Sequence, residues 1–107
     1  MAEPKLREKL REHVALACVG LERIEQDGKW GIQNHNDLKW LAILTEEVGE
    51  AAEMVNEDTP TAGLREYEHK AIEENLEYEL VQIAAVCVAW IEAIRRRPES
   101  EGQNEHR

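Results

Sequence analysis

Of the 23 acidic residues in this chain, Glu47, Glu50 and Glu79 are set apart by where a helix would point them. Take about 100° of rotation per residue and place Leu44 at zero. Leu41, Val48, Ala51 and Val55 then cluster within about 60° of it, with Trp40 near 320° and Met54 near 280°. Glu47 falls between those last two, at about 300°, and Glu50 lies one turn on, near 240°. Glu46 and Glu53 point well away. The same construction with Leu80 at zero sets Glu79 at about 260°, between Val86 and Trp90. A carboxylate facing a core costs several kcal/mol unless it is paired or coordinates a cation. A basic partner is one explanation, with Lys39 or Arg95–Arg97 able to reach a helix flank; an apolar arc wider than drawn is another. The third is a metal. Hard oxygen donors without His or Cys beside them select Mg²⁺ or Mn²⁺ over Zn²⁺. Two such groups at i, i+3 on one helix can share an ion or bridge two.

The elements that would carry these side chains read as helices. Leu6, Leu10, Val14, Ala17, Cys18, Leu21 and Ile24 recur every three or four residues, predicting a helix over about 4–26, with Asp27-Gly28 as its stop. A polar connector, GKWGIQNHND, follows; Asn36 or Asp37 can cap the next helix, placed at about 38–57. NEDTPTAG reads as a loop. From Leu64 to about Arg96 the chain is helical again, with room for a break near 70–75. The stretch LVQIAAVCVAWI is apolar nearly all round except for Gln82, which predicts burial on more than one side and hence a subunit interface. Arg95–Arg97 read as a solvated helix end stopped by Pro98, and residues 98–107 as a disordered acidic tail behind a single domain over 1–97.

A net charge of −10 repels a phosphate backbone and argues against non-specific nucleic-acid binding. A phosphorylated small molecule is still accessible if a divalent cation stands between the two negative partners. Cys18 and Cys87 lie among apolar residues at helical spacing and read as small, reduced core residues. The charged start lacks the apolar stretch of a signal peptide, and the run from Val81 to Ile91 is too short to cross a bilayer, so the expected location is cytoplasmic.

Glu46-Glu47-x-x-Glu50, then Glu79-x-x-Gln82 after 28 intervening residues, resembles the EExxE…ExxD signature of the MazG-like all-α nucleotide pyrophosphohydrolases. Upstream, Lys29-Trp30-x-x-Gln33-x-His35-x-x-Leu38 is similar to the segment before the first acidic helix in several of those enzymes. The likeness spans about residues 29–93. It implies a four-helix-bundle-like subunit completed by oligomerisation as a dimer or tetramer. It also implies hydrolysis of a nucleoside triphosphate to the monophosphate and pyrophosphate. By that resemblance Glu47, Glu50 and Glu79 hold Mg²⁺, and Glu46 orients a water or binds a further group. Trp30 and His35 match positions near the nucleobase; Gln33 and Asn34 are hydrogen-bonding candidates for base or sugar. One departure is plain: Gln82 stands where the family keeps Asp; its amide oxygen can still bind Mg²⁺ as a fourth metal ligand, but one negative charge is removed from the site. Asn75, one turn before Glu79, is the polar candidate to compensate.

Two other classes fit parts of the pattern. A di-iron carboxylate bundle needs Glu-x-x-His on two helices, and only Glu66-x-x-His69 offers it. A non-catalytic helical dimerisation or regulatory module would make the glutamates structural.

Overall fold

The computed structural model describes residues 2–57 and 63–98. Among them the secondary structure is wholly α-helical, as composition and periodicity predict: α1 (Ala2–Trp30), α2 (Asp37–Glu57) and α3 (Glu66–Arg96). The central α3 packs against both others. The expected loop at residues 58–62 and tail at 99–107 lie outside the described residues.

The helix ends follow local chemistry, with two corrections. α1 does not stop at Asp27-Gly28. It runs on to Trp30, and Gly31 ends it at φ 70°, its N–H donating to the Asp27 carbonyl at 2.9 Å. That is the left-handed C-terminal turn that glycine adopts without a Cβ penalty. α3 is continuous through residues 70–75. Of the two proposed caps for α2, Asn36 serves: its Oδ1 accepts the Lys39 N–H at 2.9 Å. Asp37 is instead the first helical residue, and it accepts hydrogen bonds from Trp90 Nε1 (2.8 Å) and from Arg97. Arg96 meanwhile reaches Asn34 Oδ1 and the Gln33 carbonyl. The arginines at the end of α3 therefore do more than face solvent. They tie the connector and the start of α2 to the end of α3.

The core is small: Trp40, Val86, Ala89 and Ala93, flanked by Ile43, Leu44 and Trp90. Its position on α2 differs from the apolar stripe of the sequence. Trp40 and Ala51 are buried and Met54 is half-buried, whereas Leu41, Val48 and Val55 are about half exposed. The buried face is thus centred near 300° on the same wheel, the angle of Glu47, because among the described residues α2 packs chiefly against α3. On α3, Ala85, Val86, Ala89 and Ala93 turn inward with Glu79, while Leu80, Ile91 and Ile94 stay exposed. The nearly all-apolar stretch of α3 is therefore only partly covered within one chain.

α1 meets α3 through polar groups. Arg23 binds Glu92 at 2.6 Å, and Gln26 Nε2 donates to Gln82 Oε1 at 3.2 Å. Cys18, expected in the core, is exposed at the open groove between α1 and α3; Cys87 is half-buried, and both thiols are free.

Candidate metal centre

Glu47 and Glu50 stand one turn apart on α2, and Glu79 faces them from α3. One carboxylate oxygen from each lies within 4.8 Å of the other two. The three differ in environment: Glu79 is buried at 5 % exposure, Glu47 is half-buried, and Glu50 is exposed. Burial is the largest influence on Glu79, followed by hydrogen bonds and like charge from Glu47 and Glu50, and together they push its pKa up to about 8. Its Oε2 is shielded from solvent and has no hydrogen-bond partner. Among the described residues, none of the three carboxylates forms an ion pair with Lys or Arg. The basic-partner explanation therefore finds no support there. What remains is a cluster of like charges, one of them shut away from water, that is stable either with protons bound or with a cation.

The flanking residues divide. A cavity of about 200 Å³ is lined by Trp30, Gln33, Trp40, Glu47, Gln82 and Val86, among others. The fold thus brings Trp30 and Gln33 from the connector region to the same hollow as Glu47. Gln82 is half-buried one turn beyond Glu79, with its Oε1 already accepting from Gln26. His35 is placed elsewhere. It packs edge-on against Trp40, ring centroids 4.9 Å apart, and lines a second hollow of about 220 Å³ with Asn34, Arg96 and Arg97. Glu46 is exposed and outside the cluster, and Asn75 is exposed and lines neither hollow. Glu66 and His69 likewise stand apart from the acid cluster, which is the sole such grouping among the described residues.

Gln26 is a member of this site that sequence reasoning missed. It lies 56 residues from Gln82, on the polar side of α1, and nothing in the local pattern marks it. The only available signal was negative, a polar face on a helix that has to pack somewhere. In comparisons with protein-family models, curated proteins and solved structures, this chain matches none.

Proposed function

We propose that this chain is a magnesium-dependent nucleoside triphosphate pyrophosphohydrolase of the MazG-like type, acting in the cytoplasm as a homodimer or homotetramer. One observation carries the reading: three carboxylates converge within 4.8 Å across α2 and α3, one of them buried with an unpartnered oxygen. The donor set fits a hard divalent cation, Mg²⁺ or alternatively Mn²⁺, held by Glu47, Glu50 and Glu79. Such an ion would neutralise phosphate charge and lower the pKa of a bound water. The chain's own residues supply the rest. Trp30 offers an aromatic face and Gln33 a carboxamide in the hollow that Glu47 borders, a combination suited to a planar base beside a polyphosphate. His35 and Asn34, beyond Trp40, act on this hollow through Trp40 and the connector rather than from its wall. Glu46, outside the cluster, and Asn75, lining neither hollow, carry no part of this reading.

A second reading, a non-catalytic helical module of the same fold, is favoured by Gln82. Its oxygen accepts from Gln26, so the fourth position of the signature carries no charge and its ligand atom is already partly engaged. The two readings separate in one experiment. Incubated with a panel of nucleoside triphosphates and Mg²⁺, the enzyme releases pyrophosphate from at least one, and Glu50→Gln lowers that rate about 100-fold or more. No release from any triphosphate, or full activity in Glu50→Gln, overturns the proposal.

A further inference from the structure

α1 is amphipathic in the wrong sense for the body it belongs to. With Leu10 at zero, the half-buried side chains that face α3, namely Val19, Glu22, Arg23 and Gln26, lie between about 120° and 220°. Most of the large apolar side chains lie on the opposite side, within about 40° of zero, with Leu16 near 240° the exception. Leu6 and Leu10 are 57 % exposed, Val14 61 %, Leu21 65 % and Ile24 70 %. From Leu10 the spacing is 4, 3, 4, 3 through Val14, Ala17, Leu21 and Ile24, which is the a/d repeat of a helix seam that expects another helix.

We infer that this seam pairs with the same seam of a second copy, antiparallel, and charge decides the direction. In the antiparallel register that sets Val14 on the partner's Ile24 and Ala17 on the partner's Leu21, the flanking positions become complementary. Arg11 then meets the partner's Glu25, His13 meets the partner's Asp27, and each pair occurs twice by symmetry. A parallel pairing sets His13 beside the partner's Cys18 and Gly20 beside the partner's Glu25, with no opposite charges. The antiparallel register also carries Arg11 toward the open groove of about 410 Å³ between α1 and α3, where Glu22, Glu25, Glu74 and Glu77 gather around Leu21 and Tyr78. The partner's Arg11 is thereby brought to the edge of an acidic groove.

The inference deepens the homo-oligomer proposed above, but neither metal nor substrate enters the test, so its failure leaves the catalytic reading to be judged separately. Sedimentation of the full chain at roughly 100 µM shows a dimer. Val14→Glu, at a position already exposed, raises the dimer dissociation constant more than about 100-fold and leaves the helical circular dichroism of the monomer intact. Arg11→Glu and Glu25→Arg each weaken the dimer by about ten-fold, and the double variant R11E/E25R returns to within about two-fold of the parent. That rescue distinguishes antiparallel α1 pairing from any other interface. A monomer at that concentration, an undisturbed Val14→Glu dimer, or a double variant no better than the single ones overturns the inference.

Discussion

The α2–α3 pair buries a carboxylate, and α1 exposes a row of leucines. Charged side chains are rarely buried unless paired, and large contiguous apolar surface is rarely left in water, so both regions depart from the usual partition in opposite directions. Each departure names the chemistry of what would relieve it. At Glu79 a bound proton or, as proposed, a small hard cation would relieve it. Along Leu10, Val14, Leu21 and Ile24 the missing component is apolar, elongated and helical. The same chain thus asks for a proton or a cation at one place and a copy of itself at another, and the two requests can be broken separately.

The sharpest break comes at Glu79. If the buried acid serves the fold, Glu79→Gln destabilises the protein. If it serves a cation, the neutral amide removes the cost of taking up a proton on folding, so the metal-free protein near neutral pH melts several degrees higher. The same variant loses pyrophosphate release by about 100-fold or more, together with the rise in melting temperature that Mg²⁺ gives the parent. At 100 times the dissociation constant that rise corresponds to about 2.7 kcal/mol. A thermal-shift titration with Mg²⁺ on parent and variant reads both effects.

A smaller effect of the same origin appears in the pH dependence. Glu79 titrates at about 8 in the folded chain and near the ordinary value of 4.5 when unfolded. Between those values the folded state holds a proton that the unfolded state has released, so this group's contribution is full below about 4.5 and is lost as pH rises through about 8. The metal-free protein therefore melts at a lower temperature at pH 8 than at pH 6. Saturating Mg²⁺, which competes with the proton, removes or reverses that slope. Melting curves across this range check the sign, and a metal-free protein whose stability rises from pH 6 to pH 8 contradicts it.

Much of this was legible before any coordinates. Helical periodicity located all three helices, and the angular placement of Glu47, Glu50 and Glu79 brought them together as expected. What the wheel could not supply was which part of an apolar arc finds a neighbour. On α2 the covered arc turned out to be the one holding Glu47, leaving Leu41, Val48 and Val55 half in water. On α1 the periodic apolar arc marks a helix, and most of that arc lies away from α3. The stop of α1 was misjudged by three residues because Asp27-Gly28 and Gly31 are both plausible terminators, and only Gly31 takes the positive φ. Gln26 and the Asp37 ties were illegible for a different reason: polar contacts between residues 53 to 60 positions apart leave no periodic trace.

At the end of the α2–α3 pair remote from the acids, Asp37 accepts hydrogen bonds from Trp90 Nε1 and from Arg97, so the two helices are joined there by neutral and ionic donors of the protein's own. Trp90→Phe keeps the ring against the Trp40 cluster and removes one donor, while Arg97 still serves the Asp37 carboxylate. The expected cost is about 1 kcal/mol, or about 5 °C in melting temperature for a domain of this size. Because this tie lies several helical turns from Glu79, the Mg²⁺-induced rise stays the same in Trp90→Phe as in the parent. A variant that loses both stability and the Mg²⁺ response would mean that the two ends of the pair are one cooperative unit. Loss of stability alone would mean that the acidic end is held by its cation and the other end by Asp37.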